Sequence, residues 1–152
     1  MTCIFCEIVA GERPASRLWE DSRCLAFLDL YPVSTAHVLV VPRQHAVLLT
    51  DLGPEIRRRL FEVACAVRAA AGSAGFGVSG ANVIVNDGVA ANQHIRHVHL
   101  HILPREPRDG LRVAFAFLRR GLNSFGGRAS RRELDRLADR LRPLVAARLR
   151  EQ

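Results

Sequence analysis

The chain has 152 residues, a formal net charge of +7 and 49% hydrophobic residues, enough for one domain with a substantial core over 1–152. All 22 basic residues are arginine, which excludes a Schiff-base lysine and a phosphate-loop lysine. No apolar run approaches the roughly 18 residues of a membrane span, and the first residues lack the basic stretch of a signal peptide, so a cytoplasmic protein with reduced thiols and no membrane partner is expected.

Cys3 and Cys6 open the chain, and Gly11 to Pro14 reads as a turn. Arg17–Glu20 predicts a short strand, Asp21–Arg23 a tight turn, and Cys24–Asp29 a largely buried strand that Tyr31-Pro32 breaks. His37–Pro42, β-branched and almost wholly apolar, predicts a third strand. Gly53-Pro54 starts a helix in which Ile56, Leu60, Val63, Ala64, Val67 and Ala71 follow helical spacing. Residues 72–80 form a glycine-rich loop without the phosphate-cradle pattern. Asn82–Asn86 predicts a fourth strand, and Asp87–Asn92 a loop.

The next stretch carries most of the information. His97, His99 and His101 alternate with Val98, Leu100 and Ile102, and the run ends at Pro104. Only an extended backbone aims three rings at period two to one side; a helix would scatter them. Three clustered imidazoles suit a metal, an anion, or both. A neutral imidazole is also a nucleophile near neutral pH, and a neighbouring ring can donate to a phosphate oxygen. No carboxylate lies in or beside the triplet, which disfavours an aspartate-backed acyl-transfer triad.

At the C-terminus, Ser130-Arg131-Arg132-Glu133 is a capping box. Leu134, Leu137, Leu141, Leu144, Val145 and Leu149 continue as an apolar stripe, so a helix is expected over about 130–150, with Pro143 as a potential kink. Residues 1–100 balance nine Arg against nine acidic residues, whereas 101–152 hold thirteen against six and carry the whole excess. The arginines lie mostly off the stripe, so they read as a solvated helix face rather than a nucleic-acid footprint. Strands, helix, strands, helix, with hairpin-length gaps, point to α+β with an antiparallel sheet.

Cys3-x-x-Cys6 is a second signal. It is half of a zinc site or, alternatively, a redox pair or two incidental thiols. Cys24 and Cys65 sit in apolar runs and read as buried core thiols, so histidine must complete any metal site.

Residues 93–104, Gln93 through Pro104, resemble the signature of the histidine triad (HIT) superfamily. Cys3–Ile8, Ala26–Leu30, Ala36–His45 and Asn86-Asp87-Gly88 match the same family in order, so the resemblance spans about residues 3–104. It implies a hydrolase or transferase of purine nucleotides, acting on a phosphoramidate or a dinucleoside polyphosphate. His99 would attack the α-phosphorus, forming a covalent nucleotidyl-histidine. His101 would donate to phosphate oxygens and His37 would support proton transfer. Gln93 and Asn86 would hold the phosphate, and Asp29 would accept from the ribose hydroxyls. Ile4, Phe5, Ile8, Phe27 and Leu30 would line the base pocket, unless they are plain core. The resemblance also implies a structural zinc on Cys3, Cys6, His45 and His97, and a homodimer. His94 departs from the family pattern and would sit near the leaving group. A zinc-stabilised nucleotide-binding or scaffold protein without catalysis is the alternative.

Overall fold

The computed structural model describes residues 3–121 and 128–150, so the expectation of one domain over 1–152 extends past the described residues. Four helices and five strands follow in the order α1 (Ile4–Ala10), β1 (Arg17–Glu20), β2 (Cys24–Leu28), β3 (Val38–Pro42), α2 (Pro54–Ser73), β4 (Ala81–Val85), β5 (Leu100–Pro104), α3 (Gly110–Gly121) and α4 (Arg131–Arg150). The strands make one antiparallel sheet in the order β1-β2-β3-β5-β4. The fold is therefore the α+β class expected.

Strand alternation divides the core in two. Cys24, Ala26, Leu28, Val38, Val40, Leu100 and Ile102 face α2 and α4 in the larger cluster. Leu25, Phe27, Leu39 and Val41 point the other way and meet Phe5 and Ile8 of α1. Leu39 pairs with His101, and cross-strand partners share a face, so His101 lies on the α1 side. The period-two pattern thus sends apolar residues of β5 into the main core and its imidazole to the opposite face.

The histidine strand is shorter than its sequence suggests. Its ladder with β3 starts at Val40↔Leu100, and residues 97–99 lie outside it. Continued pairing would set Val98 against Pro42, which has no N–H to donate. Val98 N–H instead donates to Ala46 O at 2.8 Å.

Three further departures have local causes. α1 and α3 were not expected, because seven residues hold too few turns for a periodic signal and α3 leaves most of its apolar residues exposed. Pro143 lies inside α4 without ending it. It removes the N–H that would bond Asp139 O, and both residues are exposed, where water serves the carbonyl. Cys24 is buried as expected but Cys65 is exposed, on the outer side of α2. One half of the capping box forms, Glu133 N–H donating to Ser130 Oγ at 3.2 Å, and the Ser130 hydroxyl donates to Glu133 Oε2 at 2.8 Å.

Asp21 organises the β1–β2 turn. Its carboxylate accepts from Trp19 Nε1, Arg59 Nε and the Arg23 and Cys24 backbone N–H groups at 2.8–2.9 Å. Burial alone would raise its pKa, but these donors outweigh burial and hold it at about 2. Burial and the Asp21 charge in turn push the Cys24 thiol up to about 12. Because the folded pKa of Asp21 lies below its unfolded value, its stabilisation is complete above about pH 4 and is lost as pH falls toward 2. Asp21→Asn is expected to cost about 2 kcal/mol at pH 7 and almost nothing near pH 2. Urea midpoints of both proteins across that range check this; a constant gap at every pH would contradict it.

Candidate active site

Two clusters of chemically active side chains lie on the α1 face. The first joins Cys3, Cys6, His45 and His97, whose candidate donor atoms all fall within 4.8 Å of one another. Cys3 Sγ is 3.4 Å and Cys6 Sγ 3.6 Å from His97 Nδ1, and Cys6 Sγ is 3.3 Å from His45 Nδ1. Sulfur and nitrogen bound at ordinary zinc distances around one tetrahedral centre lie about 3.6 Å apart, so the spacing fits. The tautomer fits as well. His97 Nε2 is 2.9 Å from Pro42 O, which can only accept, so the proton sits on Nε2 and the Nδ1 lone pair faces the sulfurs. Burial pushes the His97 pKa down, favouring the neutral ligand form. Burial and the neighbouring Cys3 push the Cys6 thiol up, a tendency that a bound cation reverses.

The second cluster joins Asp29, His37 and His101, all buried. Val33 N–H donates to His37 Nδ1 at 3.3 Å. His37 Nε2 therefore carries the proton and donates to His101 Nδ1 at 2.9 Å, which leaves the proton of His101 on Nε2. Asp29 Oδ2 lies 3.4 Å from His37 Nδ1. The carboxylate that the triplet lacks in sequence is thus supplied across the fold, one histidine removed.

His99 stands between the clusters. Its Nδ1 is 2.7 Å from His97 O, an acceptor only, so Nδ1 holds the proton and Nε2 is the unprotonated nitrogen. Its ring meets His101 at 4.9 Å between centroids and Phe5 edge-on at 5.2 Å. The arrangement offers an unprotonated imidazole nitrogen next to a second imidazole, suited to in-line attack on an electrophile whose oxygens need stabilising.

The remaining expected residues divide. Phe5, Ile8 and Phe27 come together in the smaller core, with Ile95 packed against it. Leu30 packs instead against the larger core, and Ile4 is 38% exposed outside both. Asp29 is buried, and its Oδ1 accepts from Tyr31 N–H at 2.9 Å. Gln93 uses its amide within the loop: Nε2 donates to Val47 O at 2.7 Å and Oε1 accepts from Gly88 N–H at 3.1 Å. Asn86 Nδ2 lies 3.4 Å from Asn92 O at the far end of that loop, and His94 is exposed just beyond. Reading the residues missed the carbonyls of Pro42, Ala46 and His97 and the amide of Val33. No side-chain signal could have found them, since any residue presents the same backbone groups.

The HIT domain family matches residues 10–108. The chain belongs to the HIT family. The matched span holds the histidines of both clusters but begins after Cys3 and Cys6. This HIT protein is 41% identical over 116 residues to an uncharacterized HIT-like protein of Mycobacterium tuberculosis, covering 76% of this chain and 78% of that one. It is 39% identical over 116 residues to an adenosine 5'-monophosphoramidase of Schizosaccharomyces pombe, covering 76% of this chain and 84% of that one. A zinc-bound histidine triad family protein from Mycobacterium smegmatis superposes on it with a TM-score of 0.77 at 34% identity, covering 100% of this chain and 99% of that one.

The loop that delivers His37 carries strain. Ala36 has φ of 59°, in the left-handed region that disfavours a Cβ, and it is buried. Ala36→Gly is expected to stabilise this HIT protein by about 0.5–1 kcal/mol, the relieved strain exceeding the added freedom of the unfolded chain. Denaturant midpoints check this; a drop would mean that the methyl's packing outweighs the strain.

Proposed function

We propose that this HIT protein is a nucleotide hydrolase or nucleotidyl transferase that attacks the α-phosphorus of a purine nucleotide through His99. The observation that carries the reading is the His99 tautomer, which leaves Nε2 unprotonated beside His101. The similarity to an adenosine 5'-monophosphoramidase supports an adenosine phosphoramidate as substrate. A dinucleoside polyphosphate is the nearest alternative.

In this mechanism His99 Nε2 forms a bond to phosphorus as the bond from phosphorus to the leaving amine or phosphate breaks. His101 Nε2–H donates to a phosphoryl oxygen, its direction held by His37. His94, exposed at the end of the loop, is assigned to protonate the leaving group. Water or another acceptor then attacks the nucleotidyl-imidazole, releasing the nucleoside monophosphate and restoring His99. Asp29 steadies His37 and reaches the ribose. Ile4, Phe5, Ile8 and Phe27 shape the base pocket, with Phe5 and Phe27 giving its floor, while Leu30 packs on the larger core. Asn86 contacts the phosphate, while Gln93 holds the loop that presents it. Cys3, Cys6, His45 and His97 hold a zinc ion, which cross-links α1 to the triad segment and supplies no chemistry to the reaction.

The reading extends to the assembly. β4 is an edge strand, and Arg105 Nη1, bonded to Asn82 Oδ1 at its margin, leads into α3, whose Leu111, Phe115 and Leu118 are exposed. An uncharged strand edge beside an apolar helix supports a homodimer joined there. α4 packs on α2 and β1, which supports a single domain whose core spans about 3–104 with the C-terminal helix as an extension. No helix among the described residues is long and apolar enough to cross a membrane. Reduced cysteines support a cytoplasmic setting.

The test is release of AMP from adenosine 5'-phosphoramidate and from diadenosine polyphosphates, followed by chromatography. Turnover of either class supports the proposal and ranks the leaving groups. No release from any of them overturns it in favour of a nucleotide-binding or scaffold role.

A further inference from the structure

Residues 97–99 have an unusual support. They precede β5, so the sheet ladder does not hold them. His97 keeps its N–H bond to Ile95 O at 2.8 Å and its Nε2 contact with Pro42 O at 2.9 Å, and three further contacts each lead back to the cluster of Cys3, Cys6, His45 and His97. His97 contributes its ring to the cluster and its carbonyl to His99 Nδ1 at 2.7 Å. Ala46, the neighbour of His45, accepts from Val98 N–H at 2.8 Å. Phe5 lies on α1 between the two cysteines and packs edge-on against the rings of His97 and His99, at 5.7 and 5.2 Å between centroids. α1 has only seven residues and no side-chain cap at its N-terminus, too few to hold shape alone.

We infer that the Cys3–Cys6–His45–His97 centre is a positioning device for His99. Occupied by a metal, its ligands fix the His97 carbonyl that selects the His99 tautomer, the Ala46 carbonyl that anchors the backbone between them, and the Phe5 ring that limits His99 rotation. Freed of the metal, the His97 carbonyl and the Phe5 ring relax while the larger core under α2, which holds Ala46 and Val98 but none of the four ligands, persists. The centre therefore acts on the reaction through orientation of the nucleophile, not merely through stability. This rests on the reading of His99 as the nucleophile.

The experiment follows the protein labelled with [15N]histidine as a chelator strips its zinc at low temperature and constant pH. Three quantities are recorded on the same samples: bound zinc, the His99 ring 15N shifts, and methyl signals from Leu60 and Val63 in the main core. The expected result is that the single Nδ1–H tautomer of His99 gives way to an averaged pair of tautomers as zinc leaves, with the core methyls unchanged. At the same stage kcat falls at least tenfold, KM changes less than threefold, and added zinc restores both the spectrum and kcat. Cys6→Ser, assayed where circular dichroism shows it folded, is expected to match the stripped protein. A zinc-free, folded protein that keeps the single tautomer overturns the inference. So does simultaneous loss of the His99 and core signals, which would make the centre a general staple. The spectra report orientation without turnover. An absence of AMP release would count against the nucleophile assignment, and the tautomer change would still stand or fall by itself.

Discussion

His99→Ala is expected to lower kcat for AMP release by at least about 10³-fold while AMP affinity changes less than about threefold. The asymmetry follows from the geometry. The base and ribose contacts assigned above come from α1, β2 and the segment after β2, and of these residues Phe5 packs edge-on against the His99 ring. The ring supplies the unprotonated Nε2, with the His101 ring 4.9 Å away and its proton on Nε2. Without it, a water molecule would have to attack the phosphorus directly, with no base in the attacking position. His99→Asn, which keeps a polar group of similar reach, separates lost chemistry from lost packing against Phe5. Both variants are expected to fall alike in kcat. Phosphorus NMR or intact-mass measurement during turnover should find AMP linked to wild-type His99 and to neither variant. Wild-type turnover by either one would remove His99 from the mechanism.

Metal removal has the second large expected effect, this time on stability. If zinc binds only the folded chain and is present at about a thousand times its dissociation constant, binding contributes about 4 kcal/mol. For a chain of this size that corresponds to a fall of about 8–16 °C in Tm on chelation. The loss should begin locally. α1, with its two thiols and no side-chain cap, becomes protease-sensitive before the helices and strands of the main core. Thermal melts with and without chelator, alongside limited proteolysis and elemental analysis, check this. Protein purified without chelators that contains no zinc, or that melts unchanged after stripping, would remove the metal from the proposal.

Much of this molecule was legible before any coordinates. β1, β2 and β3, the capped start of α4 and the long helix α2 follow from alternation, helical spacing and the Gly53-Pro54 start, because each buries a continuous apolar face whose period is written locally. The triplet was legible for the same reason: alternate residues of an extended chain share a face wherever the chain lies. The beginning of β5 was not, because it depends on Pro42 lacking an N–H on a different strand. α3 was not, because its apolar residues do not face the core. Cys65 misled because an apolar neighbourhood in sequence winds around a helix and brings one position to the outside.

The site divides in the same way. Residue order alone determined that Cys3 and Cys6 are a pair, that His97, His99 and His101 share a side, and that apolar strands flank them. Steric alternation and tight spacing act over a few residues and need no partner. Only the tertiary structure decided which nitrogen of each ring holds its proton. For His97 and His101 that choice belongs to groups far away in the chain, Pro42 O and Val33 N–H acting through His37, while His99 takes its own from His97 O once the bend at His97 turns that carbonyl toward it. A hydrogen bond forms across a distance of about 3 Å in space, whatever separates its ends in sequence. The chemistry of three identical side chains therefore diverged only when the sheet, α1 and the loop before His37 closed around them.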